Sequence, residues 1–444
     1  MDAPEIRYTM SGDVSIAYAI HGDGPIDVVF VTGYVSNLEV ELEGPNEVAS
    51  FFSKLSAAGR VIRFDRRGSG MSDRVRDLPT LETRMDDLRA VMDAAGSRRA
   101  VLVATYEAAS MAMLFGATYP ERVAGLALFN PLAKGVRSED YSFAPTEQDY
   151  FEEFELIRED WGGAGHVERF VRDAAPSVAG DAQVAAWMQR MFRQGASPGA
   201  ALAIRRMAMN VDVRDVLPSI HVPTLVVHGR ANRGEGGYVA ERIPGARRFE
   251  HDGPDRLFWL APGLAEAVVE FARAAWGEPE PDTLLATVLF TDVVDSTAKA
   301  VELGNRSWAE VVARHHALVR TQLERYRGRE IDTAGDGFFA AFDGPIRAIR
   351  CAVAAREVVR DLGLEIRAGL HTGECELIGD KPGGIAVNIG ARVAAQAAPG
   401  EVLVSQTVKD LVAGSGLTFE DRGAAALKGV PGEWRLYAVA DAAA

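Results

Sequence analysis

Cysteine is scarce: Cys351 and Cys375 are the only two in 444 residues. Their spacing fits no metal-ligand pattern and two thiols make no disulfide framework, so a reducing compartment is expected. Basic charge is also short, with 48 Lys and Arg against 63 Asp and Glu for a formal net charge of -15. A general nucleic-acid binder would show a basic face instead. No apolar run approaches the ~20 residues that a spanning helix needs. Residues Met1-Asp2-Ala3-Pro4-Glu5 offer neither the basic region nor the apolar stretch of a signal peptide. The expectation is a cytoplasmic protein without membrane or nucleic acid among its partners.

What remains is ordinary globular composition over a length that exceeds one hydrophobic core, so two domains are expected. Gly277-Glu278-Pro279-Glu280-Pro281-Asp282 neither buries surface nor continues a helix. The reading is a first domain at 1–276, a connector at 277–283 and a second domain at 284–444. In the first, Val, Ile and Leu concentrate in short runs at 26–31, 61–64, 100–104, 123–129 and 223–227. Such strands separated by helical stretches predict a parallel sheet covered on both faces. Between 138 and 220 the pattern turns to polar helices, which reads as an inserted cap.

Asp65-Arg66-Arg67-Gly68-Ser69-Gly70-Met71-Ser72-Asp73 and Tyr119-Pro120-Glu121-Arg122-Val123 resemble the α/β-hydrolase fold. In that fold a nucleophile sits on a sharp strand-to-helix turn of the Gly-x-Ser-x-Gly type. Here Ala104-Thr105-Tyr106-Glu107-Ala108 puts Tyr106 at the nucleophile position and alanine at both glycines. The resemblance expects the acid where Asn232 stands and the base histidine where Arg256 stands. Asn232 carries no carboxylate and Arg256 stays protonated near neutral pH, so neither can replace the acid or the base. Ser110 has small neighbours at the right spacing but falls one turn later, inside the helix. A retired hydrolase is the reading, and its capped pocket is either a small-molecule sensor or part of a dimer scaffold.

The second domain carries separated polar motifs at the ends of apolar runs. Phe290-Thr291-Asp292-Val293-Val294-Asp295-Ser296-Thr297 is followed by Asp332-Thr333-Ala334-Gly335-Asp336-Gly337 and by Asn388-Ile389-Gly390-Ala391-Arg392. Two carboxylates able to share divalent metal, with an amide and a guanidinium one helical turn apart, suit a nucleoside triphosphate. A strand over 284–294, helix over 296–327, hairpin over 329–342, helix over 345–362 and strand over 364–378 are expected. Order and spacing resemble the ferredoxin-like catalytic domain of class III nucleotide cyclases, so the whole chain reads as α/β plus α+β.

That resemblance implies two metal ions per site, Mg²⁺ or Mn²⁺, held by Asp292 and Asp336, with the backbone of Val293 to Ser296 close by. It implies that Asn388 and Arg392 orient the ribose and stabilise charge on the α-phosphate, and that Lys428 meets the terminal phosphates. It also implies a homodimer with composite active sites. His315, His316 and His371 read as packing or surface residues. One departure concerns the base. Where adenylyl cyclases of the family carry a lysine this chain has Asp332, and where they carry an aspartate it has Lys381, with Asp380 adjacent. The exchanged pair is formally complementary to guanine, unless Asp380 takes the role or Asp332 and Lys381 bond to each other. ATP is the first expected substrate, with GTP and then a pyrimidine nucleotide behind it. The rivals are a non-catalytic nucleotide-binding or ligand-sensing protein and, disfavoured by Tyr106, Asn232 and Arg256, a residual hydrolase.

Overall fold

The computed structural model describes residues 5–75, 79–378 and 381–440, with backbone alone for Leu377 and Ile378. Contacts divide the chain between Pro281 and Asp282 into two compact units, each with its own eight-stranded sheet.

The first unit contains β1 (Arg7–Ser11), β2 (Val14–His21), β3 (Asp27–Val31), β4 (Arg60–Phe64), β5 (Ala100–Thr105), β6 (Val123–Phe129), β7 (Thr224–Gly229) and β8 (Arg247–His251). They lie in the order β1-β2-β4-β3-β5-β6-β7-β8, antiparallel from β1 to β4 and parallel thereafter. β3, β5 and β6 are buried at every position, as a sheet covered on both faces requires. The sequence pattern does not reveal β1, β2 and β8. β8 reads Arg-Arg-Phe-Glu-His at the sheet edge and buries only its last residue. Four helices, Glu147–Asp160, Ala164–Ala174, Ala182–Gly195 and Pro198–Asn210, fill the stretch between β6 and β7. Three of them start at side-chain caps: Thr146 in a capping box, Asp181, and Ser197 ahead of Pro198.

The second unit contains β9 (Thr283–Val293), β10 (Arg329–Ala334), β11 (Gly337–Phe342), β12 (Ile366–Ile378), β13 (Lys381–Gly383), β14 (Val402–Ser405), β15 (Phe419–Ala426) and β16 (Glu433–Val439). The order is β10-β11-β9-β12-β14-β16-β15, with β13 paired to β12. β9 and β12 run antiparallel through an unbroken register from Val293 opposite Ile366 to Thr283 opposite Glu376. The stretch expected as one helix over 296–327 is two, Ser296–Leu303 and Asn305–Arg325. Gly304 separates them at φ 76°, a left-handed conformation that glycine adopts without a Cβ clash.

Helix Ile385–Gln396 lies directly on β9 and β12. A Cβ on Gly390 would come within 2.5 Å of Val288 Cγ2, and one on Gly369 within 2.0 Å of the Ala394 backbone nitrogen. The second contact is with main chain, which cannot rotate away, so overpacking here costs at least about 1–3 kcal/mol. Gly369→Ala is expected to destabilise the second unit by that amount or more in urea unfolding. A midpoint equal to wild type would mean the helix does not seat on β12 this closely.

Candidate active site

β9 delivers Asp292 one residue before its end, and the β10–β11 turn delivers Asp336. Because Phe338 pairs with Thr291, the turn lies beside Asp292. A Cβ on Gly337 would sit 3.9 Å from Asp292 Oδ1. Asp292 Oδ2 faces the other neighbour, accepting from Arg367 Nη2 at 2.6 Å and Nε at 3.2 Å. Arg367 stands opposite Asp292 in the β9–β12 register. Sequence reasoning missed it, since only the pairing of strands 75 residues apart reveals the partnership.

Asp336 has a buried carboxylate oxygen, Oδ2, without a hydrogen-bond partner. Its turn is held by other means: His315 Nε2 donates to the Asp336 carbonyl at 3.1 Å and His316 Nε2 to the Gly335 carbonyl at 3.0 Å. Burial lowers the His315 pKa, which favours the neutral ring that donates from one nitrogen. The two histidines expected at the surface or in packing thus brace the acidic turn. Asp295 closes the strand end in a left-handed conformation, φ 53°, and opens helix Ser296–Leu303. The donors suit a divalent cation: hard carboxylate oxygens, one of them buried and unpaired. Among the described residues no group of three or more His, Cys, Asp or Glu is placed to hold a metal ion. Two aspartates leave coordination positions for water and phosphate oxygens, as Mg²⁺ sites commonly do.

A second group forms on helix Ile385–Gln396. Ala386, Ile389, Gly390, Val393 and Ala394 are buried, which leaves Asn388 and Arg392 on the exposed face one turn apart. Neither makes a side-chain hydrogen bond or ion pair among the described residues. Lys428 is exposed on the turn between β15 and β16. Its neighbour Leu427 packs in one apolar cluster with Ile389 and Val393, so the lysine belongs to the neighbourhood of Asn388 and Arg392. Asp332 is exposed opposite Phe339 on β11 and accepts from the Thr333 backbone N–H at 3.0 Å. Lys381 is exposed on β13 opposite Ile378. The two form no ion pair with each other, so the self-bonded alternative is not present within the chain. Asp380 lies outside the described residues.

The first unit keeps the shape of a hydrolytic site without its groups. Tyr106 has φ 51° and ψ −124°, the strained backbone of a strand-to-helix elbow. Its phenol is buried with no partner at full hydrogen-bond distance, and burial pushes its pKa above the ordinary range, opposed by nearby Asn130 and Arg256. Ser110 is buried inside helix Glu107–Thr118 and donates to the Leu132 carbonyl. Arg256 Nε donates to Asn232 Oδ1 at 3.1 Å, so the residues at the base and acid positions still bond each other. The Tyr34 N–H, in the loop after β3 where such folds hold an oxyanion, donates to Glu107 Oε1 at 2.5 Å. Burial alone would raise the Glu107 pKa, but Arg66, Arg84 and this N–H hold it below its usual range. A carboxyl group of the chain itself therefore occupies a donor that acyl transfer would need.

Residues 283–441 match the family model for the adenylate and guanylate cyclase catalytic domain. The chain is similar to the receptor-type adenylate cyclase GRESAG 4.3 of Trypanosoma brucei brucei, 27% identical over 217 residues, 36% of this chain and 17% of that protein. It is also similar to a putative adenylate cyclase 3 of Rhizobium meliloti (strain 1021), 26% identical over 148 residues, 31% of this chain and 25% of that protein. The chain thus spans a quarter or less of the length of these two relatives. The esterase EaEST from Exiguobacterium antarcticum superposes with a TM-score of 0.52 at 19% identity, over 61% of this chain and 99% of that one. The second unit is an adenylate and guanylate cyclase catalytic domain, and the first has the α/β-hydrolase fold. No helix among the described residues is long and apolar enough to cross a membrane.

Ester hydrolysis is expected to be absent. p-Nitrophenyl acetate should be cleaved at the buffer rate by the wild type and by Tyr106→Ser, since neither has a base at Arg256 or a free Tyr34 N–H. Cleavage well above buffer that disappears in Ser110→Ala would overturn this.

Proposed function

We propose that the protein is a class III nucleotide cyclase that converts ATP to 3′,5′-cyclic AMP and pyrophosphate, acting as a homodimer in intracellular signalling. The observation that carries this reading is the apposition of Asp292 with the turn of Asp336, whose buried Oδ2 lacks a partner. A purely structural turn aspartate would spend that oxygen on its own backbone.

In this reading Asp292 and Asp336 hold two divalent ions, Mg²⁺ or Mn²⁺, close to the backbone of Val293. Bound there, the ions lower the pKa of the ribose 3′-hydroxyl and offset the triphosphate charge. The 3′-oxygen attacks the α-phosphorus, the bond from that phosphorus to the bridging oxygen breaks, and pyrophosphate leaves. Asn388 orients the ribose, and Arg392 supplies fixed positive charge to the α-phosphate oxygens as the transition state forms. Lys428 meets the terminal phosphates as a point charge. Arg367 is a positioning residue: its two bonds to Oδ2 aim Oδ1 at the Asp336 turn. The exposure of Asn388, Arg392 and Lys428, with no side-chain partner among the described residues, suits a second chain that supplies the metal half, so two-fold symmetry would create two equal composite sites.

The experiment that tests the reading is incubation of purified protein with each of four nucleoside triphosphates and Mn²⁺, with cyclic products identified by mass. Asp292→Ala and Asp336→Ala should each abolish product while leaving the melting temperature near wild type. Wild-type turnover in either would remove the metal assignment.

Composite sites make a further expectation for paired lesions. Inactive Asp292→Ala mixed with inactive Arg392→Ala should regain activity, because a mixed dimer puts both lesions in one site and leaves the other intact. Random exchange makes about half the dimers mixed, each with one working site, so about a quarter of wild-type activity returns. No recovery after verified exchange would mean each site is built within one chain.

Asp332 and Lys381 favour a second reading, guanylate cyclisation, because their exchange reverses the donor and acceptor offered to the base. If both face the base, the double exchange Asp332→Lys with Lys381→Asp should shift the ATP/GTP ratio about tenfold or more toward ATP. An unchanged ratio would show that other groups read the base.

A further inference from the structure

The cap and sheet of the first unit enclose a cavity of about 270 Å³, and its charges do not balance. Three acids line it, and each is neutralised by an arginine of the same unit: Glu41 by Arg63, Glu107 by Arg66 at 3.0 Å and Glu153 by Arg205 at 2.7 Å. Arg256 lines the same cavity without an acid of its own. Its Nε goes to the neutral amide of Asn232, and its two terminal nitrogens make no side-chain bond among the described residues. Asp255, its neighbour in sequence, is used by the Ser177 N–H at 3.0 Å and hydroxyl at 2.7 Å. Glu235 is close enough for Arg256 to oppose the upward shift that burial gives its carboxyl, yet the two form no ion pair.

The groups around Arg256 are equally unfinished. Tyr106 and Tyr34 both line the cavity, and both phenol oxygens are buried with no partner at full hydrogen-bond distance, Asn130 standing near the Tyr106 hydroxyl. An unmet buried hydroxyl is costly and rare unless something supplies a partner. Both tyrosines also have left-handed backbone, φ 51° and 64°, a conformation that costs energy in a non-glycine residue and persists where the surroundings enforce it. The reaction that would explain such an elbow has no groups left here, so chemistry is not what the strain serves. Trp187, Phe170, Phe192 and Phe258 supply apolar walls.

We propose that this cavity binds a small monocarboxylic acid with an aromatic or branched apolar body, its carboxylate held by the free guanidinium edge of Arg256 and the Tyr106 hydroxyl. Guanidinium and carboxylate match as a two-bond fork, and the phenol donates a further bond. The volume equals the liquid share of roughly nine waters at about 30 Å³ each, so the ligand has roughly ten non-hydrogen atoms. Phenylacetate is a probe of that size and chemistry. The site lies entirely within the first unit and does not depend on the cyclase reading, so the two stand or fall separately.

Titration calorimetry on the full chain compares phenylacetate with phenylacetamide, which keeps the shape and removes the charge. The acid is expected to bind about tenfold tighter or more. Arg256→Gln should abolish that preference, and Tyr106→Phe should weaken the acid several-fold with little effect on the amide. Equal affinity for acid and amide, or a preference that survives Arg256→Gln, would overturn the proposal. So would the absence of binding by phenylacetate, benzoate and 4-methylpentanoate up to about 10 mM. The wild-type comparison of acid with amide decides the matter even if a variant fails to fold.

Discussion

The antiparallel ladder between β9 and β12 is the constraint from which the second unit's polar chemistry follows. Its register sets Arg367 against Asp292, so the first acidic residue of the site arrives already bonded on one oxygen and free on the other. The same ladder provides the floor on which helix Ile385–Gln396 rests. Gly369 on β12 gives up its side chain so that the Ala394 backbone can approach, and Gly390 does the same from the helix side over Val288. Burying one stripe of that helix fixes the opposite stripe, which is where Asn388 and Arg392 stand. Slippage by one residue would turn every side chain of the strand to the other face, moving Asp292 away from both Arg367 and the β11 turn. The positions of Asp292, Asn388 and Arg392 are therefore consequences of a single pairing.

The first unit has the α/β-hydrolase fold with Tyr106, Asn232 and Arg256 at the positions where the resemblance expects nucleophile, acid and base. Tyr106 retains the elbow backbone, and Asn232 and Arg256 retain the bond between the acid and base positions. Glu107 turns a backbone donor inward on a carboxylate of the chain itself. Three arginines lower the cost of that buried charge, and Arg84, fully buried among them, has its own pKa lowered to about 9. Burying such a cluster is expensive unless every charge is answered. Each lining acid is paired with an arginine, and Arg256 has no acid paired with it.

The sequence is most legible where chemistry and pattern coincide. Asp292 and Asp336 end apolar runs, and Asn388 and Arg392 share a helical period, so their placement on a strand end, a turn and one helix face could be read directly. The strands β3 to β7 are legible for a similar reason, being short, apolar and separated by helical stretches. β1 and β8 are not, because an edge strand buries little and reads as polar loop; β8 is Arg-Arg-Phe-Glu-His. β2 is interior and mostly buried, but its Val-Ser-Ile-Ala-Tyr-Ala-Ile-His sequence lacks the continuous Val and Phe run that marks β3. The helix expected over 296–327 breaks at Gly304, and only that residue's positive φ shows the break. Arg367, His315 and His316 were unreadable for a deeper reason. Each acts through a partner brought near by the sheet or by a helix packed on it, and nothing local in their sequence marks them.

The way the Gly335–Asp336 turn is held argues that its carboxylate is reserved. A hairpin aspartate that exists to shape its turn accepts hydrogen bonds from the backbone just beyond it. Here the shaping is done by helix Asn305–Arg325, whose His315 and His316 grip the two turn carbonyls. Gly335 supplies the left-handed step at φ 65°, so the aspartate is not needed for that either. Its Oδ2 stays buried and unbonded, a state that costs on the order of 1–3 kcal/mol in a neutral group and more in a charged one. A chain that had only to close a hairpin would avoid that cost with Asn or Gly. A buried, unbonded carboxylate oxygen on a turn next to the strand of Asp292 is an arrangement that a hard cation would relieve, since binding would offset its desolvation.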